Sequence, residues 1–390
     1  MSSTRLPGTP RLLRAINDRA ALELLLDQGP LTRAQLGELT GLSKVTASQL
    51  VERLEERGLV SRVGEQAGGR GPNASLYAVV PTSAFVVGVE VGPDQAVAAC
   101  ADITGTVLGR VEQSTHDSDD PVGVVHNAVI EAARSAKAPL AKVRRVVLGS
   151  PGLVDPATGD LNFAFDLPRW QRGLLGALRE DLKRAVFFEN DVNLAAVAEA
   201  HAGAAKGVDD FVLLWLDRGV GMAVMLGGKL HRGVSGAAGE IGYLPVAGVA
   251  VPRDVARRAK GGFKELAVAD AVRAVAREHG FRGTAAEAVR AAVSAGTAGG
   301  PVLDELARRL ALGLSAACLV LDPALVVLAG EVGGAGGVAL AHRVQHEVAA
   351  IAPVSPRVVV SEVPSEPVLH GALLTALDAA RDEVFGSTTD

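Results

Sequence analysis

At 390 residues the chain has room for two or three domains, and 48% hydrophobic residues, 3% aromatics and 45 glycines favour an α/β protein with many tight strand-to-helix turns. A formal net charge of −5 excludes a wholly basic nucleic-acid binder, yet residues 1–80 carry ten Lys/Arg against eight Asp/Glu, a net of +2, which leaves −7 for the remainder. No apolar run reaches the ~18 residues that span a bilayer, the N-terminus has no apolar export core, and Cys100 and Cys318 suggest neither a disulfide framework nor a zinc site, so a cytosolic protein without membrane contact is expected.

Apolar positions at helical spacing (Leu12, Leu13, Ile16, Ala20, Leu24) predict a helix over 11–28, stopped by Gly29-Pro30. Thr32 can cap a short helix through Thr40, Gly41-Leu42 makes a turn, and Ser43 caps a second helix running to about Arg57. "LVSRVG" and "SLYAVV" then read as strands flanking the glycine-rich tip "EQAGGRGPNA". Three helices followed by a β-hairpin make a winged helix-turn-helix, assigned to residues 1–80.

Pro81 marks a boundary, and the pattern beyond it is βα. "AFVVGVEVG", "QAVAACADITG" and "VLGRVEQST" predict three strands, a helix follows from Pro121 to about Ala136, and "VRRVVLGSPG" and "VFFEN" are further strands. The second half follows the same order, with strands within 211–232, helices over 266–280, 284–295 and 301–321, a strand "ALVVLAGEVGG" with a glycine-rich exit, a late strand "RVVVSEV" and a C-terminal helix from about Val368. Two β-rich starts, each followed by helices, predict two similar lobes over 81–390.

In a helix-turn-helix the second helix presents its N-terminal side chains to base edges. Here these are Ser43, Lys44, Thr46, Ala47 and Gln49: Lys44 for phosphate or guanine, Gln49 for adenine, Ala47 and the Thr46 methyl for thymine. Arg70, between glycines at the wing tip, suits a narrow A·T-rich minor groove. A second candidate site is the polar tip Glu189-Asn190-Asp191, where a strand meets an alanine-rich helix; such a tip either caps the helix or holds a ligand.

Three segments of the body carry a resemblance: "LGSPGLVDPATGD" (148–160), "ENDVNLAAVAEAHAGAAKG" (189–207) and "LHRGVSGAAGEIGYLPV" (230–246). The chain resembles the ROK family of repressors, open reading frames and sugar kinases, which implies an actin-like, two-lobed α/β fold of the sugar kinase/Hsp70 type behind the winged-helix head. The resemblance implies that Asn190 bonds a sugar hydroxyl, that Asp191 stands where the kinases keep their base, and that Glu240 and Glu265 hold further ring hydroxyls. A paired carboxylate and carboxamide suits adjacent hydroxyls, because together they accept and donate in fixed geometry.

The departures from the family pattern are as telling. Its first phosphate loop, Asp-x-Gly-Gly-Thr, is "EVGPD" here, with Glu90 for the Asp, Pro93 for the second Gly and Asp94 for the Thr. Proline removes a backbone donor, and Asp94 adds negative charge where a phosphate should lie. The second loop reads "DRGVG" (217–221), with Asp217 and Arg218 replacing a Gly-Thr pair. The family's zinc ligands are replaced by Ala256, Arg258, Phe263 and, for the histidine, Tyr243, so no metal and no cofactor are expected. Asp166 stands where the family has Asn, and an added acid suits an amino sugar.

The reading is therefore a homo-oligomeric transcriptional regulator, a repressor of carbohydrate-related genes, that binds an inverted-repeat DNA operator and a sugar or amino-sugar effector and performs no catalysis. A DNA-binding sugar kinase and a regulator without ligand sensing remain the alternatives.

Overall fold

The computed structural model describes residues 10–67, 73–115, 120–162, 173–253 and 260–386. The head holds α1 (Pro10–Gln28), β1 (Leu31–Thr32), α2 (Arg33–Thr40), α3 (Lys44–Glu56), β2 (Val60–Gln66) and β3 (Ala74–Val79), with the sheet ordered β1-β3-β2. Thr32 caps α2 in a reciprocal box with Gln35, which satisfies two otherwise orphaned backbone donors. Gly41 ends α2 in the left-handed conformation at φ 71°, and Ser43 starts α3 by accepting the Thr46 N–H at 3.2 Å.

The body opens with β4 (Phe85–Val91), β5 (Gln95–Asp102), β6 (Val107–Ser114), α4 (Pro121–Ser135), β7 (Val143–Ser150), the small pair β8 (Leu153–Val154) and β9 (Leu161–Asn162), α5 (Leu174–Leu182), β10 (Ala185–Asn190) and α6 (Asp191–Ala202). The second lobe follows with β11 (Phe211–Leu216), β12 (Val220–Leu226), β13 (Lys229–Leu230), α7 (Lys264–Ala267), α8 (Ala269–Glu278), α9 (Ala285–Ser294), α10 (Gly300–Leu321), β14 (Leu325–Ala329), α11 (Gly330–Ile351) and β15 (Arg357–Val360). The final helix α12 (Pro367–Gly386) returns to the first lobe.

The two large sheets share one topology. In the first, β6-β5-β4-β7-β10, the hairpin strands β4, β5 and β6 are antiparallel, and β7 and β10 add in parallel through helical crossovers. In the second, β13-β12-β11-β14-β15, the same antiparallel and parallel steps recur in the same chain order. Two similar lobes, expected from the sequence pattern, are therefore present.

Helix α6 lies between the lobes and is buried along most of its length, with Asn193 and Glu199 buried among its apolar residues. Leu194 faces α12, while Val192, Ala195 and Ala196 pack with Phe211 and Leu213 of β11. Helix α12 approaches α6 backbone to backbone: a Cβ at Gly371 would stand 1.9 Å from the Leu194 carbonyl oxygen.

One helix departs from the sequence expectation. The "glycine-rich exit" after β14 is α11, two helical runs joined across a break at Gly337, whose φ of 54° and ψ of −159° are not helical. Its first eight residues include five glycines, which lowers intrinsic helix propensity. Packing overrides propensity: Val332, Leu340, Val344 and Val348 are buried in the second-lobe core. The predicted helix over 266–280 is divided, with Val268 extended between α7 and α8, and α5 is a further helix that the sequence pattern does not announce.

Candidate DNA-reading surface and effector cleft

On the head, Ser43, Lys44, Thr46 and Gln49 are exposed along the first turns of α3. The Ser43 and Thr46 hydroxyls bond each other at 2.8 Å, which fixes the start of the helix. Ala47 needs correction as a base contact. It is 1% exposed and packs toward Gly37 of α2. Its register with Leu50, Val51 and Leu54 (i, i+3, i+4, i+7) is the buried stripe, and the sequence already carried that signal. The apolar side chain exposed on the outer face is instead Val45, 67% exposed, which the sequence reading passes over. The hairpin β2–β3 forms the wing, and Arg70 falls outside the described residues.

Helix α3 is tied inward by charge. Asp18 of α1, 1% exposed, accepts Arg53 Nε at 3.3 Å and lies 3.5 Å from Arg57 Nη1. Arg57 also donates to the Val384 carbonyl of α12 at 2.8 Å, and Arg19 of α1 pairs with Asp382 at 2.6 Å. Apolar residues of the head (Leu22, Leu50, Leu54, Val79) and of the body (Val86, Ile103, Leu377, Phe385) form one continuous core.

The second site lies at the carboxyl ends of the parallel strands of the first lobe. Register places Glu90 and Glu189 opposite Gly149 on either side of β7, and Asn190 opposite Ser150. Open α/β sheets bind ligands outside this edge. Asn190 both caps and bridges: its Oδ1 accepts the Asn193 N–H at 3.1 Å and its Nδ2 donates to the Gly152 carbonyl at 2.9 Å. One N–H and one lone pair of its amide remain beyond those two bonds. Glu189, 6% exposed, organises the tip; it accepts the Asn190 N–H at 3.0 Å, Asn193 Nδ2 at 2.9 Å and Arg232 Nε at 2.6 Å. Arg232 arrives from the second lobe, so this pair crosses the cleft.

Asp191 stands among carboxylates. The Glu240 carboxyl is pushed up, first by the protein crowding it and then by the charge of Asp191. The Glu240 residue is nevertheless exposed, as befits the wall of an open cleft. It is set there by the Gly239 carbonyl, which accepts the Met222 N–H of β12 at 3.1 Å, and by the 3-10 turn Ile241–Tyr243. Glu90 is pushed up to about 7 by burial, then by Asp191 and Glu366, against the opposing hydrogen bond from the Leu369 N–H of α12. By resemblance Glu90 belongs to a phosphate loop; the structure joins it electrostatically to Asp191, and so to the second candidate site.

Glu265 has another task. It is exposed, and its Oε1 accepts the Gly261 N–H at 2.9 Å, which clips the loop before α7. At a position where the resemblance implies a cysteine, Phe263 is fully buried in the second-lobe core. Its ring lies so close to α10 that a Cβ at Gly313 would meet it at 2.7 Å. Tyr243 is half-buried, with Lys264 Nζ 4.8 Å from its ring centroid. Ala256, Arg258 and Asp166 lie outside the described residues, and among the described residues no His/Cys/Asp/Glu group suits a metal.

The two phosphate-loop positions meet each other. Arg218 Nη2 donates to Asp94 Oδ2 at 2.8 Å from one lobe to the other, with both side chains about two-thirds exposed. A third tie is Glu199 of α6, fully buried, which accepts the Ser361 hydroxyl and the Val363 N–H after β15.

A winged-helix head fused to a duplicated α/β body with an acid-lined cleft defines a class by architecture: two-lobed α/β proteins that carry a winged helix. The ROK family pattern matches residues 86–379, and the chain belongs to that family; the MarR family pattern matches residues 16–71. The chain is 27% identical over 241 residues to the DNA-binding transcriptional dual regulator NagC of Escherichia coli K12, covering 61% of this chain and 59% of that protein. It is 28% identical over 246 residues to the xylose repressor of Bacillus subtilis, covering 60% and 61%. The matched stretch thus spans about three-fifths of the length of each relative. Among solved structures, a ROK family transcriptional regulator homologous to the E. coli MLC protein shares the fold across 96% of this chain and 98% of its own, at TM-score 0.75 and 19% identity. The ROK hexokinase of Thermus thermophilus superposes on 76% of this chain and 99% of its own, at TM-score 0.62 and 26% identity.

Proposed function

We propose that the chain is a DNA-binding transcriptional repressor of carbohydrate-related genes, controlled by a sugar or amino sugar held between the lobes, and that it does not phosphorylate its ligand. The observation that carries this reading is the course of α12. Its N-terminal turn supplies the Leu369 N–H that bonds Glu90 in the cleft, and its C-terminal turn holds the head through Asp382 and Val384. Twenty residues of helix span about 30 Å, so a single rigid element touches both sites. Asn190, Asp191, Glu240 and Tyr243 form the ligand wall, with Glu90 added. Glu265 acts on the wall's supporting loop. A like-charged cluster suits a ligand that carries a cationic nitrogen, because the cation relieves the repulsion that burial has raised. The kinase alternative is disfavoured by Pro93, which lacks a donor, and by Asp94, whose charge is answered by Arg218 rather than by a phosphate.

The test is a DNA-binding titration with hexoses and amino sugars, on the wild type and on Asp191→Asn. Asp191→Asn keeps the shape and removes the charge, so the variant should fold and bind DNA while effector affinity falls about tenfold, the scale of one lost charged hydrogen bond. An unchanged effector response removes Asp191 from the pocket. Sugar-dependent ATP turnover by the wild type overturns the non-enzymatic reading.

A further inference from the structure

At the opposite end of the first-lobe sheet from the cleft, a surface cavity of about 390 Å³ is lined by Arg144, Arg145, Arg179, Lys183 and Arg184 against one carboxylate, Glu383. These cations come from the start of β7, the end of α5 and the turn into β10. Several are held in place by backbone. Arg179 Nε donates to the Val186 carbonyl at 2.9 Å, and Arg184 Nε to that of Leu140 at 2.9 Å. Lys183 closes α5 in the left-handed conformation at φ 52°. Arg145 pairs with Glu383 at 2.7 Å, while its own Nε is buried without a hydrogen-bond partner. Arg145 and Arg179 also stand over the ring of Phe187, 5.7 and 5.5 Å from its centroid, and Phe187 is 42% exposed on the edge strand β10.

Anchoring Glu383 needs one or two arginines. Five cations around one cavity, in a body that is otherwise acidic, carry self-repulsion that an arriving polyanion relieves. The location narrows the anion. Glu383 lies between Asp382 and Val384, the two residues that hold Arg19 and Arg57 of the head, and Lys142 nearby donates to Thr82 of the linker at 2.8 Å. The cavity therefore borders the seam at the C-terminal end of α3. The reading end of α3 is 13 residues away, about 20 Å, a length of duplex axis that carries about a dozen phosphates.

We propose that this cavity binds backbone phosphates of the DNA flanking the half-site read by the head. The inference rests on the DNA-binding reading above.

The test uses the full chain and an operator selected from random duplexes. The operator is trimmed to its core, or extended on each side by one helical turn, about 10 bp. Wild type should bind the extended duplex about tenfold more tightly than the core at low salt. The double reversal Arg144→Glu with Arg184→Glu should lose that gain while binding the core within about twofold, and its slope of log K against log salt should flatten by about 0.9 for each phosphate no longer neutralised. Retained core binding also certifies the fold. If the reversal melts early, Arg144→Gln with Arg184→Gln is measured the same way. A flank-dependent gain that survives in the folded variant overturns the inference, as does an equal loss on both duplexes. Stabilisation of the wild type by pyrophosphate with no flank-dependent gain assigns the cavity to a free phosphate anion and overturns the DNA assignment. Failure of the wild type and Lys44→Ala to differ on the core duplex strikes the head reading instead, and leaves the two failures distinguishable.

Discussion

The joint between head and first lobe and the flanks of the joint between the two lobes are built from opposite materials, although α6 itself packs on β11 through Val192, Ala195 and Ala196. The first is a continuous apolar core around a nearly inaccessible Asp18, with Leu22, Leu54 and Phe385 all but fully buried. On the flanks of α6, the second is bridged by ion pairs at the cleft: Asp94 with Arg218, open to water, and Glu189 with Arg232. Separating apolar surface costs about 25 cal/mol per Å², whereas an exposed pair contributes about 0–1 kcal/mol. The head should therefore ride on the first lobe as one body, and motion should concentrate in the cleft. On the proposed function, an effector that favours one cleft opening would shift the population of head arrangements, as a coupling between sites requires.

The largest expected effect breaks the rigid joint. Asp18→Ala removes the carboxylate that faces Arg57, 13% exposed, and Arg53. Breaking a buried pair in this way costs about 3–5 kcal/mol. Denaturant unfolding of Asp18→Ala should show a loss of that order, with weakened DNA binding; a loss under about 1 kcal/mol means the seam is not the rigid joint.

Glu90→Gln sharpens the other side. In the folded protein Glu90 holds its proton up to about 7, against an ordinary value of 4.5. The folded chain then binds more protons than the unfolded one between these values. Its contribution to stability is full below about 4.5 and is lost as pH rises through 7. Gln keeps an acceptor for the Leu369 N–H and does not ionise. Melting curves of the two proteins should coincide near pH 4.5, and Glu90→Gln should be the more stable at pH 8, by at most about 3 kcal/mol. Parallel pH profiles would place Glu90 in ordinary solvent.

The smallest effect concerns the exposed tie. Arg218→Ala should change stability by less than about 1 kcal/mol. If the pair biases the cleft toward closure, the same substitution should measurably alter effector affinity while leaving DNA affinity without effector almost unchanged. A destabilisation of several kcal/mol would show that the cleft is held as firmly as the seam.

Much of this is legible locally. The caps at Thr32 and Ser43, the strand tip at Glu189-Asn190 and the duplicated order of strands and helices all come from short-range patterns: polar residues before apolar periods, and period-two runs ended by glycine or polar residues. The reading of α3 fails at Ala47, although the i, i+3, i+4 stripe through Leu54 is present, because a small residue fits a base contact as well as a helix contact. Helix α11 escapes a sequence reading because five glycines argue locally against a helix; the chain does break at Gly337, and packing sustains the helical runs on either side.

By itself the sequence determined the head, the two lobes and the family resemblance, since each of these is written in neighbouring residues. Only the tertiary structure decided which distant groups act together. It placed Glu90 beside Asp191, set Glu265 to its own loop, joined Asp94 to Arg218 and brought the end of α12 against α1 and Arg57. Charge interaction and close packing depend on distance in space, and Arg57 and Val384 lie 327 residues apart in the chain.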